Sequence, residues 1–261
     1  MNTWKEQMEA GEVLLKTENL SRSFSTGGTM QHVLKNIDLK LYRGEFTVIM
    51  GASGAGKSTL LYALSGMDTP TLGTITFAGE TISGLRPDRL AVFRRRHCGF
   101  VFQQIYLLDE MSVMDNVLVA GLLVNQDRKA LIRRAEELFE AVDIPEETRR
   151  KFPAQISGGE AQRVGIVRAL INSPEILFAD EPTGALNSKT GLDVLDTLTA
   201  FHRQGQSVVM VTHDMRSARR ADRILYLKDG TVTGECILGR YVHGDQERHE
   251  KLSAFLREMG W

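Results

Sequence analysis

Short runs that are apolar at nearly every position recur along the chain: EFTVIM over 45–50, EILFAD over 175–180 and QSVVMVTHD over 206–214. A strand that is apolar at successive positions is buried on both faces, as in a parallel sheet covered by helices. Each run leads into a stretch of helical periodicity. The spacing therefore predicts an open α/β core whose ligand lies at the carboxyl ends of the strands. A different texture precedes and follows this core. Residues 13–24 (VLLKTENLSRSF), 32–42 (HVLKNIDLKLY) and 73–82 (GTITFAGETI) read as antiparallel strands joined by glycine-containing turns. Residues 223–235 carry an Asp229-Gly230 pair, the signal of a tight hairpin.

Between about 105 and 155 the period changes to that of a helix. Leu131, Ala135, Leu138, Phe139 and Val142 share one face behind a candidate N-cap at Asp127. The pattern predicts a helical insertion within the α/β core. Near the end, Leu252, Phe255, Leu256 and Met259 fall at i, i+3, i+4 and i+7 and make one apolar helical face. That face either packs on its own domain or meets a partner or membrane surface. No internal repeat or Pro/Gly/Ser-rich linker divides the chain.

Composition narrows the function. The 261 residues are 42% apolar and 25% charged, enough to bury a full core. With 32 basic against 33 acidic residues there is no global cationic field, so nucleic acid is not an expected partner. The basic clusters Arg94-Arg95-Arg96-His97 and Arg149-Arg150-Lys151 read as solvated faces. The longest apolar run, Val117–Val124, is under half of the ~18 residues that suggest a membrane-spanning helix. Residues 1–12 lack the apolar region of a secretory signal, and Cys98 and Cys236 have neither disulfide nor metal-ligand spacing. A cytoplasmic location is expected.

The candidate chemistry begins after the first buried run. Gly51-Ala52-Ser53-Gly54-Ala55-Gly56-Lys57-Ser58-Thr59 fits G-x-x-x-x-G-K-[ST], with a strand before it and a helix after it. Such a loop turns successive backbone N–H groups toward one phosphate, and the helix adds the positive end of its dipole. Lys57 is placed to reach the β- and γ-phosphates and Ser58 a magnesium ion. The second buried run ends in Asp180-Glu181. Adjacent residues on a strand point to opposite sides, so one carboxylate could serve magnesium while the other faces an attacking water. A helix cap or a solvated pair is the plainer alternative for these two residues.

A third segment discriminates among phosphate-loop proteins. Ser157-Gly158-Gly159-Glu160 resembles the signature motif of the ATP-binding-cassette (ABC) ATPases, with Ile156 in place of the usual Leu and Ala161 where Gln is common. The resemblance spans residues 13 to about 235. It implies a phosphate-loop NTPase core with a parallel sheet, an N-terminal antiparallel β subdomain and a helical insertion. It further implies that Phe24 stacks on adenine, the alternative being a core or edge-strand Phe. Gln103, with Gln104 as its rival, matches the glutamine that senses magnesium and the attacking water. His213 matches the switch histidine that contacts the γ-phosphate, and Ser157, Gly158 and Gly159 would meet a nucleotide held by a second copy. One position departs: Asn187 stands where the family usually has Asp, keeping an acceptor but losing the charge.

The resemblance thus implies an ATPase that uses ATP and Mg2+, pairs head to tail with a second copy, and powers a separate integral membrane permease. In catalysis it implies Glu181, His213 and Gln103; at the metal, Ser58, Gln103 and Asp180. The stretches IMGASGAGKSTLL and FADEPTGAL resemble the subgroup of lipoprotein-releasing, macrolide-export and antimicrobial-peptide-resistance transporters. The expected organisation is a tail at 1–12, the ATPase domain at 13–235 and a C-terminal extension at 236–261. An ABC ATPase acting in translation or DNA repair is the alternative. Such relatives usually carry two cassettes or a very long insertion, and this chain has neither.

Overall fold

The computed structural model describes residues 11–261, so the first ten residues of the expected tail lie outside it. The chain begins β1 (Val13–Thr26), β2 (Thr29–Tyr42), β3 (Phe46–Met50), α1 (Lys57–Leu64), β4 (Leu72–Phe77), β5 (Glu80–Thr81) and α2 (Pro87–His97). It continues through β6 (Cys98–Phe102), α3 (Val113–Leu122), α4 (Arg128–Ala141), α5 (Glu146–Arg149), α6 (Gly158–Leu170), β7 (Ile176–Asp180) and α7 (Ser188–Arg203). The last elements are β8 (Ser207–Val211), α8 (Met215–Ala218), β9 (Arg223–Lys228), β10 (Thr231–Ile237) and α9 (Gln246–Glu258). These elements gather into two compact units, one made of the residues up to Leu90 with Gly205–Trp261, the other of Ala91–Gln204.

The first unit holds the antiparallel sheet β2-β1-β4-β5, as the alternating N-terminal segments predict. It also holds β10-β9-β3-β8, in which β3 runs parallel to both neighbours. All five residues of β3 and of β8 are buried, the reason these runs are apolar without alternation. The β9–β10 hairpin turns at Asp229 (φ 50°) and Gly230 (φ 81°), the paired positive values that a tight two-residue turn requires. A buried ion pair ties β9 to the residue before β3: Arg223 donates from Nε to Glu45 at 2.5 Å and from Nη2 at 3.0 Å. The C-terminal helix α9 buries Leu252 and Leu256, while Tyr226 on β9 meets Phe255 and Trp261 edge-on. Of the two fates open to its apolar face, the helix takes packing within its own unit.

In the second unit β6 and β7 pair in parallel with Phe102 opposite Asp180. Leu131, Ala135, Leu138, Phe139 and Val142 are all buried, and Asp127 caps α4 by accepting from the N–H groups of Lys129 and Ala130. The helical insertion starts later than its expected boundary near 105. Residues 103–112 are irregular, with Tyr106 in left-handed backbone (φ 53°), and helix begins at Val113 behind the N-cap Ser112. The cause is the buried side chain of Asn116. Its Oδ1 accepts from the Leu108 N–H at 2.7 Å, and its Nδ2 donates to the carbonyls of Leu108, Met111 and Ser112. One amide thus satisfies a loop's backbone groups where a helix would have satisfied them itself.

Candidate functional site

The phosphate-loop segment lies wholly in the first unit, between the buried strand β3 and α1. Its backbone depends on glycine at both ends. A Cβ on Gly51 would fall 2.1 Å from the carbonyl oxygen of Leu227, and Gly56 occupies left-handed backbone (φ 99°) as the N-cap of α1. No side chain caps α1, so the positive end of its dipole faces the loop without a capping carboxylate or hydroxyl. Lys57 folds back along the loop, donating to the carbonyls of Gly51 at 2.8 Å and Ala52 at 2.9 Å. Ser53 and Gly54 are exposed at the loop's crest. Ala55, Ser58 and Thr59 are half-buried beneath it. The arrangement offers backbone donors, a helix N-terminus and one cation to a single anion.

Phe24 stands on β1 opposite Gln31 of β2, with 38% of its surface exposed. It is not a core residue, and the Arg22 guanidinium lies 4.4 Å from its ring centroid. His213 is exposed two residues beyond the end of β8. The turn that carries it is fixed on both sides: Thr212 is fully buried, and its hydroxyl accepts from the Asp214 N–H at 3.0 Å. Asp214 in turn caps α8. Burial opposes its ionisation, but hydrogen bonds from the Ser217 hydroxyl and the Arg216 and Ser217 N–H groups outweigh that and hold its carboxyl below the usual range.

The remaining residues lie in the second unit. Because Phe102 pairs with Asp180, Gln103 and Glu181 are the first residues beyond the ends of two adjacent parallel strands. Gln103 turns toward the loop after β7, where a Cβ built on Gly184 would sit 2.9 Å from its Nε2. Gln103 and Gln104 are both exposed. The strand stops at Asp180, however, and Glu181 adopts left-handed backbone (φ 45°), with its carbonyl accepting from the Gly184 N–H. Strand alternation therefore does not separate the two carboxylates, contrary to the sequence argument. Glu181 lies instead in a left-handed turn, backbone that is uncommon in a non-glycine residue. Both side chains are half-buried.

Ser157 and Gly158 are exposed at the start of α6, while Gly159 is buried. A Cβ on Gly159 would overlap Thr190 of α7 at 1.9 Å, so the small residue is what allows the two helix starts to meet. Ser157 and Glu160 form a capping box: the Ser157 N–H and hydroxyl donate to Glu160 at 2.8 and 2.7 Å, and the Glu160 N–H donates to the Ser157 hydroxyl at 3.3 Å. These bonds from Ser157 lower the carboxyl pKa of Glu160. Asn187 caps α7 by accepting from the Thr190 N–H at 3.0 Å and hydroxyl at 2.9 Å. Sequence reasoning missed Gln162, which is buried in α6 and donates to the carbonyl of Phe102, anchoring the residue before Gln103. Its position within the Gly158–Arg163 segment was the available signal.

The same unit exposes apolar surface nearby. Tyr106 is 60% and Leu108 49% exposed, held outward by Arg168, which donates to the carbonyls of Ile105 and Tyr106, and by Asn116. Among the described residues no cluster of three His, Cys, Asp or Glu side chains could hold a metal, and no helix is long and apolar enough to cross a membrane.

Comparison with known proteins agrees with this arrangement. A macrolide export ATP-binding/permease protein, MacB 1, of Aeromonas hydrophila is 46% identical over 224 residues, covering 86% of this chain and 34% of that protein. MacB of Escherichia coli is 42% identical over 227 residues, covering 86% and 35%. The chain spans about a third of the length of these curated relatives. Among solved structures, the ATP-binding cassette MJ0796, in a dimeric post-hydrolysis state bound to ADP and Pi, matches with a TM-score of 0.79 and 37% identity. That match covers 87% of this chain and all of the other. Residues 34–184 match the family described as ABC transporter, and with the cassette fold around them the chain belongs to that family as one of its ATPase cassettes.

Proposed function

We propose that the chain hydrolyses ATP to drive a membrane permease in an export or mechanotransmission system for macrolides, antimicrobial peptides or lipoproteins. The observation that carries this reading is the phosphate loop, whose helix start has no side-chain cap and whose lysine lies along the loop carbonyls. Lys57 and the amides of Gly51–Thr59 hold the β- and γ-phosphates, and Phe24 stacks on the adenine. Glu181 accepts a hydrogen bond from the water that attacks the γ-phosphorus in line, and His213 steadies the γ-phosphate. Ser58, Gln103 and Asp180 offer only oxygen ligands, a set that suits Mg2+. When bound, that ion supplies neutralising charge to the β- and γ-phosphate oxygens.

Two copies pair head to tail, so that Ser157, Gly158 and Gly159 of one meet the nucleotide held by Lys57 of the other. The dimeric form of MJ0796 supports this arrangement. Tyr106 and Leu108 form the docking surface for the permease, since they are apolar, exposed and held outward by the half-buried Arg168 and the buried Asn116. Attached in this way, the chain sits on the inner face of the cell membrane.

Glu181→Gln tests the catalytic assignment. It preserves shape and removes the charge, so ATP binding persists, paired copies accumulate and turnover falls by ~10²-fold or more. Steady-state ATPase within a few-fold of the parent sinks the assignment. Tyr106→Asp tests the docking surface. It should release the chain from membranes containing the permease and leave the isolated chain's ATPase intact, and undiminished co-purification would contradict it.

A further inference from the structure

Phe24 is not a free-standing aromatic. One face of its ring is covered by Arg22, two residues earlier on β1 and so on the same side of the strand, with the guanidinium carbon 4.4 Å from the ring centroid. The guanidinium is itself clamped. Nε donates to Oδ2 of Asp68 at 2.7 Å and Nη2 donates to Oδ1 at 2.7 Å, the two-pronged geometry that fixes an arginine plane. Both side chains are about three-quarters buried. Asp68 belongs to the turn that closes α1, where its N–H and that of Met67 both donate to the Tyr62 carbonyl. A run of rigid contacts therefore leads from the helix that begins at the phosphate loop, through Asp68 and Arg22, to the ring of Phe24. All of it lies within the first unit.

We propose that Arg22, clamped by Asp68, is a positioning residue for the nucleobase. It closes one face of Phe24 and fixes the ring plane, so that a purine stacks on the opposite face at a set distance from the phosphate loop. This rests on the reading of Phe24 as the adenine-stacking residue. A cation beneath an aromatic ring also draws electron density from it, which favours stacking against an electron-rich purine. The clamp acts on the base and leaves the phosphates alone. Its loss should therefore weaken ligands that carry a base and spare those that do not.

The test is equilibrium competition on the full chain, with radiolabelled ADP displaced by unlabelled ADP or by inorganic tripolyphosphate. Arg22→Gln should weaken ADP about five- to tenfold and Asp68→Asn about threefold, with tripolyphosphate affinity within about twofold of the parent in both. Phe24→Ala should weaken ADP at least as much as Arg22→Gln. If ADP and tripolyphosphate weaken together in both Arg22→Gln and Asp68→Asn, the pair is merely structural and the proposal fails. It fails equally if Phe24→Ala weakens ADP while Arg22→Gln and Asp68→Asn do not, which leaves the aromatic reading standing. If Phe24→Ala leaves ADP unchanged, the aromatic reading falls and the clamp loses its role with it.

Discussion

The chain starts two helices with glycine-rich segments, Gly51–Thr59 before α1 and Ser157–Gly159 at α6, and the two are built in opposite ways. At α1 the N-cap is a left-handed glycine with no side chain to satisfy the helix's first N–H groups, and a lysine follows at once. At α6 a serine caps the helix, and Glu160 returns a carboxylate to the Ser157 N–H. A helix start without a side-chain cap, with a cation beside it, attracts an anion from solution. Donors already engaged, with a negative charge beside them, do not. On the proposed reading, the same resource, the backbone amides of a helix start, serves as a primary phosphate site in one unit and, in the other, as a surface that contributes only once a phosphate is presented to it.

The largest effect should come from removing what only the first segment has. Lys57→Ala deletes the cation that lies along Gly51 and Ala52, and ATP affinity should fall at least ~100-fold, about 2.7 kcal/mol, in equilibrium titrations. A loss under tenfold would show that the amides alone hold the phosphates, erasing the distinction between the two helix starts.

How much of this was legible in the sequence follows from the range of the interactions concerned. The phosphate loop, the Asp229-Gly230 turn and the Asp127 cap are local patterns, and each lies where the spacing predicts. The apolar spacing does not predict helix α2. Leu90 is its one buried residue among those described, and the arginines of its last turn disguise any periodicity. The periodicity places the irregular residues 105–112 within the helical insertion because their order comes from Asn116, a polar residue whose burial no hydropathy pattern signals. Long-range pairs such as Arg22 with Asp68, 46 residues apart, leave no local trace. The left-handed backbone at Glu181 likewise comes from the turn to Gly184, and strand alternation could not reveal it.

A smaller effect should come from editing the second segment. Glu160→Gln keeps an acceptor for the capping box and removes the charge. Taking an arriving phosphate charge about 5 Å away in a water-like dielectric, ATP-driven pairing should strengthen roughly fourfold, read as the paired fraction in a Glu181→Gln background. Unchanged or weaker pairing would mean that Glu160 does not oppose the incoming anion. The same substitution carries a pH signature. The Glu160 carboxyl is held below its ordinary value of 4.5 by bonds from Ser157, so its stabilising contribution is complete above that pH. The contribution is lost as pH falls through the lowered value. Acid unfolding of the parent should show this loss, and Glu160→Gln should not.

Asn187→Asp should have the smallest effect on binding, and it probes how the second unit communicates across the pair. In the isolated chain Asn187 is exposed and caps α7 through Oδ1. Asp is an equal N-cap and adds charge at the favourable end of the helix dipole, so folding should be unharmed. With ATP binding assigned, as proposed, to the phosphate loop, affinity should stay within about threefold, ~0.7 kcal/mol. Carboxylate hydrogen bonds are roughly twice as strong as neutral ones, so if the loop lies at the seam between copies the substitution should raise the ATPase rate or its cooperativity. The reverse outcome has a distinct cause. Were the seam fitted to a neutral amide, the new carboxylate would be buried on pairing without a partner, and the paired state would weaken. Titrating ATPase rate against ATP for both proteins separates the two. A lower rate with loss of pairing would make Asn187 a fitted contact in its own right, and the second helix start would then depend on its neighbour's cap as much as on its own.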